Sequence, residues 1–219
     1  NWWFSDYYNH PNFGPVFAIS WVVWVVVSIV LHELGHGYTA IRCGDDTPLA
    51  LRRMTLNPFV HIPPMAWLMF AVFGFTWGLM PVSPSNFRGR YDDAKVSAAG
   101  PAVNFGLFIL CAFGSALWMV FASGVADPVG GNVRVFLLVG TFINLMGVVF
   151  NLIPVPPLDG SSILSNFSPA YRRIWEGPNA QVVGLIAFAL LFFVVGKKIW
   201  GPVIEGAIWT IAQFVRILT

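Results

Sequence analysis

Apolar runs separated by short polar segments dominate this chain of 219 residues. About 20 apolar residues are needed for a helix to cross a bilayer. Residues 15–42, 96–121 and 135–153 satisfy this requirement closely, and residues 180–196 form a shorter apolar run. This pattern predicts an all-α polytopic membrane protein.

Two further runs are ambiguous. Residues 65–80 contain two glycines and are flanked by prolines, so they suit either a short span or a re-entrant hairpin, and we favour the hairpin. In residues 199–218 the side chains of Glu205, Gln213 and Arg216 fall near one helical face. That pattern fits either a span with a polar seam or a helix lying in the membrane interface. We expect about five to six transmembrane helices in a single domain covering residues 1–219.

Composition supports the membrane assignment. The chain is 57% hydrophobic and 10% charged, with a mean hydropathy of +0.70, whereas soluble domains carry about 25% charged residues. The net charge of +2 is small and its basic residues are scattered, so no nucleic-acid partner is expected. Cys43 and Cys111 lie in separate segments without the spacing of a metal site, and we expect both to be structural.

The distribution of basic residues predicts the orientation of the spans. The loop between the first and second confident spans is rich in lysine and arginine, whereas the following loop has almost none. Cytoplasmic loops carry this excess, so the basic loop is expected to face the cytoplasm. Lys197 and Lys198 oppose the rule and leave the C-terminal topology open. The basic residues of the long loop and its flanks are Arg42, Arg52, Arg53, Arg88, Arg90 and Lys95.

The segment LHELGHGY, residues 31–38, places ionisable side chains at the end of the first apolar run. Residues four apart share one helical face, so His32 and His36 can offer two imidazole nitrogens to one zinc ion, with Glu33 beside them as a proton acceptor. The alternative is that these residues cap the cytoplasmic end of the helix. His32 precedes Arg42 by about ten residues, or about 15 Å of helix, which is deep for a cap.

A catalytic zinc site usually has three protein ligands and one open position. The third apolar span ends in FNLIPVPPLDG, residues 150–160, where Asn151 is followed by three prolines and then Asp159. Irregular backbone at membrane depth is tolerated where it lines a cavity. We therefore predict Asp159 as the third ligand and Asn151 as an amide donor beside the metal. The alternative is an ordinary proline-rich turn with an aspartate cap.

These motifs together resemble the site-two protease family of intramembrane zinc metalloproteases. The resemblance covers about residues 16–165 and rests on HELGH, on AAGPAVN at residues 98–104 and on NLIPVPPLDG at residues 151–160. The segments MTLNPFVHIPP and PVSPSNFR resemble loop motifs of a bacterial and archaeal branch. The chain departs from that branch at Pro63, where an acidic residue is expected, and at Trp77-Gly78-Leu79, which replaces a more polar stretch.

The resemblance implies a function and a set of roles. It implies an intramembrane zinc endopeptidase that hydrolyses peptide bonds in or near transmembrane segments, with a catalytic core at about residues 16–165 followed by C-terminal helices in residues 180–219. Its partners would be the lipid bilayer and a membrane-spanning protein or peptide substrate. The location implied is a prokaryotic cell membrane, with the active site toward the cytoplasmic side. One zinc ion per chain would be bound by His32, His36 and Asp159, with Glu33 as general base and Asn151 holding the substrate carbonyl.

Three other residues are candidates for the substrate or water path. Asn144 would line a water passage or pack between helices. Asn104 would form a hydrogen bond between helices or touch substrate. His61 would gate access or bind a second ion, or else lie at the membrane interface. At the level of function, the alternatives are a zinc transporter and a non-catalytic zinc-binding membrane scaffold.

Overall fold

The computed structural model describes residues 8, 14–175, 179–191 and 196–219, and the regular structure within them is entirely helical. A single 3₁₀ turn at Pro84–Asn86 accompanies the α-helices of this described part. The α-helices are α1 Gly14–Cys43, α2 Thr47–Ala50, α3 Pro58–His61, α4 Pro64–Phe73, α5 Asp92–Phe121, α6 Val129–Asn151, α7 Asp159–Phe167, α8 Pro169–Ile174, α9 Ala180–Leu190 and α10 Gly196–Leu218.

Three of these helices, α1, α5 and α6, are long and apolar enough to cross a membrane. The expectation of an all-α membrane protein is thereby confirmed, and three of the expected spans have the required length and hydropathy. Helix α10 has 23 residues but is not among them. Its polar residues, including Glu205 and Arg216, lower its hydropathy, and both lie on its exposed side.

The three spans pack against one another and form the core. Trp24 of α1 lies in a buried cluster with Cys111 of α5 and Val139 of α6, and its indole Nε1 donates to the carbonyl of Phe136 over 2.9 Å. A Cβ atom at Gly140 would lie 2.4 Å from this indole, so glycine is required for the close approach of α1 and α6. Trp24 lies two turns before His32, and this contact therefore positions the histidine segment relative to α6.

Helix α10 covers α5 and α6 with an apolar stripe. Val203, Ala207 and Ile211 recur at intervals of four residues and are all buried. Residues at this spacing share one face of a helix. The helix therefore adds to the core without contributing a polar group to it at these positions.

Residues 64–83 extend along α1 and then return. Helix α4 has ten residues, too few to cross a bilayer, and it ends at Gly74, whose φ of +78° favours glycine. The carbonyl of Gly74 accepts from Trp21 Nε1 at 2.9 Å, whereas Leu79 N donates to the carbonyl of His61 at 2.9 Å. Trp21 and Glu33 are separated by about 18 Å of helix. The segment thus reaches the level of Trp21 and comes back to the histidine motif.

A buried carboxylate anchors the long loop to the end of α1. Asp45 is completely buried and accepts hydrogen bonds from Ser83 N at 2.7 Å, Asn86 Nδ2 at 2.9 Å, and the backbone and hydroxyl of Thr47. Burial favours the neutral acid, yet these hydrogen bonds together hold the pKa of Asp45 below its ordinary value. The charged form is therefore the one that the folded loop requires.

Replacing Asp45 with alanine is expected to lower the free energy of unfolding by roughly 3 kcal/mol at neutral pH, because buried donors lose a charged acceptor. The measurement is the thermal unfolding midpoint of the purified protein in detergent. Because the pKa is depressed on folding, this stabilisation is present above the unfolded value near 3.8 and is lost as the pH falls through the folded value. The difference between variant and wild type should therefore shrink below about pH 4. The exposed neighbour Asp46, replaced with alanine, is the control; equal midpoints for Asp45→Ala and Asp46→Ala at neutral pH would contradict the assignment.

Candidate metal centre

The histidine motif lies in the interior of α1. His32, Glu33 and His36 expose only 9%, 6% and 8% of their surface. The Nε2 atoms of the two histidines are 3.0 Å apart, because residues four apart stack on one helical face. The two imidazoles therefore point into one small volume.

Asp159 enters this volume from the turn that follows α6. Helix α6 ends at Asn151, the proline-rich turn follows, and Asp159 is the first residue of α7. Its Oδ2 lies 3.2 Å from His32 Nε2, and its Oδ1 lies 3.4 Å from His36 Nε2. A Cβ atom at Gly160 would lie 2.3 Å from the carbonyl oxygen of Leu152, so the glycine permits the tight return of the chain.

Two hydrogen-bonded contacts hold α7 and its turn in place. The Tyr171 hydroxyl donates to the carbonyl of Pro154 over 2.7 Å. Asn166 Nδ2 donates to the carboxylate of Asp93 in α5 over 2.6 Å. Asp159 is thereby fixed relative to α5 as well as to α6.

The donor set has the dimensions of a zinc site. Within the described residues, His32, His36 and Asp159 form a group whose potential ligand atoms all lie within 4.8 Å of one another. Ligands about 2.0–2.1 Å from a tetrahedral zinc ion are separated by about 3.3 Å. The separations of 3.0 Å between the two Nε2 atoms, and of 3.2 and 3.4 Å from them to the two different oxygens of Asp159, are close to that edge length.

The hydrogen bonds of the imidazoles also fit a cation. His36 Nδ1 lies 2.7 Å from the carbonyl oxygen of Val96, and His32 Nδ1 lies 2.6 Å from Asn104 Oδ1. Each Nδ1 faces an acceptor and therefore carries the proton, which leaves lone pairs on both Nε2 atoms. Two imidazole nitrogens 3.0 Å apart beside a carboxylate are stabilised when a cation, either a proton or a metal ion, lies between them. Asp159 Oδ2, which is buried without a hydrogen-bond partner among the described residues, points to the same conclusion.

Gly100 of α5 lies directly against the two imidazoles. A Cβ atom at this position would be 2.4 Å from His36 Nε2 and 2.5 Å from His32 Nε2. Only glycine leaves room for these ligand atoms. In the sequence this glycine is part of the AAGPAVN segment, and nothing in the local pattern indicates that it contacts the two histidines.

The long loop covers Glu33. A Cβ atom at Gly78 would lie 2.2 Å from Glu33 Oε1, and one at Gly37 would lie 2.6 Å from Met54 Sδ. Gly78 belongs to the stretch that departs from the loop pattern of the resembling branch, and nothing in the local pattern indicated that it contacts Glu33. The carboxylate is thus enclosed by α1 and by a returning loop.

His61 is completely buried within the protein. Its Nε2 lies 2.6 Å from the carbonyl oxygen of Thr55, and its Nδ1 has no hydrogen-bond partner among the described residues. It lies close enough to Glu33 to interact with it electrostatically. A role as a gate or ion ligand stays a prediction.

The three asparagines occupy different environments. Asn151 is partly buried, and its Nδ2 donates to the carbonyl of Gly147 in its own helix over 3.0 Å, which leaves the second amide N–H for another acceptor. Asn104 and Asn144 are 3% and 0% exposed and are hydrogen-bonded to each other. The hydrogen bond between Asn104 and Asn144 is a contact between helices, which was one of the two interpretations of each residue. A contact of Asn104 with substrate and a place for Asn144 in a water passage stay predictions.

Comparison with known proteins agrees with this architecture. The sequence model described as "Peptidase family M50" matches residues 122–195, which include the turn that carries Asp159. The "Putative zinc metalloprotease YwhC" of Bacillus subtilis is 33% identical over 196 residues, covering 84% of this chain and 85% of that protein. The "Putative zinc metalloprotease Rip2" of Mycolicibacterium smegmatis is 32% identical over 203 residues, covering 87% and 73% of the two chains. No solved structure matches this chain significantly.

A more distant relative extends the range of the similarity. A "Putative zinc metalloprotease" of Methanocaldococcus jannaschii is 22% identical over 194 residues, covering 84% of this chain and 87% of that protein. The similarity to YwhC and Rip2 extends across most of each chain. The chain is an integral membrane protein that belongs to peptidase family M50, the site-2 protease family.

Proposed function

We propose that this protein is a zinc endopeptidase that hydrolyses peptide bonds in or near the transmembrane segments of membrane proteins. The observation that carries the proposal is the convergence of His32, His36 and Asp159 at separations of 3.0–3.4 Å, with Glu33 buried beside them in the same helix. In this proposal the three residues hold one zinc ion per chain. The names of the relatives support the choice of metal and of reaction class.

The roles of the residues follow from their chemistry. Zinc supplies Lewis acidity that polarises a peptide carbonyl and makes water a better nucleophile. Glu33 accepts the proton of the attacking water and returns it to the leaving amine, as a general base and then a general acid. Asn151 donates its free amide N–H to the oxyanion that forms on the substrate carbonyl. His32, His36 and Asp159 hold the metal in place.

The surroundings of Glu33 place a demand on the substrate. Gly78 lies against the carboxylate, so a peptide bond that reaches Glu33 has to displace the returning loop. A transmembrane helix also has to unwind locally, because its carbonyls are engaged in backbone hydrogen bonds and shielded. Substrates with helix-weakening residues near the cleaved bond should therefore be preferred.

The placement in the membrane is part of the proposal. The basic loop between α1 and α5 supports an active site toward the cytoplasmic side of a prokaryotic membrane. We infer five to six spans in total, with C-terminal helices in residues 180–219 completing the domain. The out-and-back path of residues 64–83 supports a re-entrant hairpin over residues 65–80.

The test is cleavage of a panel of single-span membrane proteins by the purified protein in liposomes, with cleavage positions read by mass spectrometry. We expect cuts within or beside the spans, loss of activity after zinc removal by a chelator, and recovery when zinc is added back. Soluble proteins of similar length are the control. Zinc flux into the liposomes without cleavage would instead indicate a transporter, and zinc binding with neither activity would indicate a scaffold.

A further inference from the structure

A chain of buried hydrogen bonds leads from the metal centre to the backbone of α6. His32 Nδ1 lies 2.6 Å from Asn104 Oδ1, Asn104 Nδ2 donates to Asn144 Oδ1 over 3.0 Å, and Asn144 Nδ2 donates to the carbonyl of Gly140 over 2.9 Å. Asn104 and Asn144 expose 3% and 0% of their surface. This series of hydrogen bonds therefore links α1 to α5 and α5 to α6, and its side chains have little contact with solvent.

The backbone carbonyl of Gly140, at the end of this series of hydrogen bonds, determines which group donates in every bond of the series. A backbone carbonyl can only accept, so Asn144 must present its amide nitrogen to Gly140. The side-chain oxygen of Asn144 then faces Asn104 and accepts a hydrogen bond from its amide nitrogen. The side-chain oxygen of Asn104 is thereby presented to His32 as an acceptor. Reversing either amide would bring two donors or two acceptors together in a buried place, where an unsatisfied polar group costs about 1–3 kcal/mol.

These bond directions fix which nitrogen of His32 carries the proton. Because Asn104 presents an acceptor, the proton of the neutral His32 imidazole is held on Nδ1, and the Nε2 lone pair is directed at Asp159 and His36. His36 obtains the same arrangement from the backbone carbonyl of Val96. The hydrogen bond at His32 Nδ1 comes from a side chain, whereas the one at His36 Nδ1 comes from the backbone. A substitution can therefore remove the hydrogen bond at His32 only.

The packing reserves space for this amide. A Cβ atom at Gly147 of α6 would lie 3.2–3.3 Å from the side-chain amide atoms of Asn104. A side chain at position 147 would crowd the amide, so glycine leaves the space that Asn104 occupies. Asn104 is held in this space by its hydrogen bond to Asn144.

We propose that Asn104 is a positioning residue for metal binding, and that Asn144 sets its orientation: together they fix the tautomer and ring orientation of His32. The inference rests on the proposed zinc-binding function. Neither asparagine touches the metal or substrate in this role. Their acceptors are neutral, so the support adds no negative charge around the ion.

The experiment measures the zinc dissociation constant of the full chain in detergent by competition with a chromogenic chelator, together with the visible absorption bands of the Co²⁺-substituted protein. Asn104→Leu, which removes the acceptor, is expected to raise the zinc Kd by about 10–100-fold, the cost of losing an outer-shell partner. It should also shift the Co²⁺ bands. Asn104→Asp keeps an acceptor for His32 but loses the donor to Asn144 Oδ1, so it should raise the zinc Kd less than Asn104→Leu does.

Ser115→Ala is the matched control. Ser115 lies in the same helix and is also buried, but its hydroxyl has no hydrogen-bond partner among the described residues. Unchanged Kd and Co²⁺ bands in Asn104→Leu, or equal losses in Asn104→Leu and Ser115→Ala, would overturn the proposal. If Asn104→Leu does not fold, Asn144→Leu takes its place: a Kd raised at least threefold supports the proposal, and an unchanged Kd overturns it. Failure of the wild type to bind one zinc would refute the proposed function itself, which separates the two.

Discussion

Replacement of Glu33 with glutamine is expected to reduce peptide cleavage by about 10²–10⁴-fold while one zinc ion per chain remains bound. Glutamine has nearly the same shape, so the contact with Gly78 is preserved. Its amide cannot accept the proton of the attacking water, and this loss removes general-base catalysis without removing a metal ligand. The measurements are the rate of cleavage in liposomes and the zinc content by mass spectrometry.

The control for this variant is Glu205→Gln in α10, because Glu205 is exposed and lies outside the metal centre. It should cleave at the rate of the wild type. Cleavage by Glu33→Gln at more than about a tenth of the wild-type rate would remove Glu33 from the mechanism. Loss of zinc in the same variant would instead show that Glu33 has a structural role in the site.

The second large effect is expected at Gly100. Its replacement by alanine would put a methyl group 2.4–2.5 Å from the Nε2 atoms of both histidines. The imidazoles cannot retreat without breaking their Nδ1 hydrogen bonds to Val96 and Asn104. We expect the zinc Kd to rise by more than about 100-fold, beyond the cost of losing one outer-shell bond, and cleavage to disappear.

Gly106→Ala is the matched control for Gly100→Ala. Gly106 lies in the same helix, and a Cβ atom there would meet nothing within 4 Å. Because alanine favours a helix over glycine by about 1 kcal/mol, this variant should be at least as stable as the wild type and bind zinc equally well. Equal zinc affinity for the two alanine variants would show that the space at Gly100 does not matter to the metal.

The two variants separate the chemistry of the site from its shape. Glu33→Gln tests proton transfer while the ligand geometry is kept, and Gly100→Ala tests the geometry while every polar group is kept. If zinc binding fails only in Gly100→Ala and cleavage fails in both, the metal and the general base have distinct roles. That pattern is the one expected of a zinc endopeptidase.

Local sequence pattern was sufficient for the parts of this protein that depend on neighbouring residues. The lengths of the apolar runs predicted α1, α5 and α6, because hydrophobicity over about 20 residues decides whether a helix can span a bilayer. The spacing of His32 and His36 predicted two imidazoles on one face, which follows from the pitch of the helix. The proline-rich turn after the third apolar run predicted Asp159 as the third ligand, and the structure brings its carboxylate within 3.4 Å of both histidines.

Tertiary structure decided the features that join distant positions. His32 and Asn104 are 72 residues apart, and Asn104 and Asn144 are 40 apart, so no local period relates them. Gly100 and Gly78 are necessary because of the atoms they face across helix and loop contacts, and one glycine looks like another in sequence. The burial of His61 depends in the same way on the return of the loop. Composition and periodicity determined which segments are helical and apolar; which polar groups meet inside the bundle was decided by packing, since buried donors and acceptors take their partners from whatever helix lies opposite.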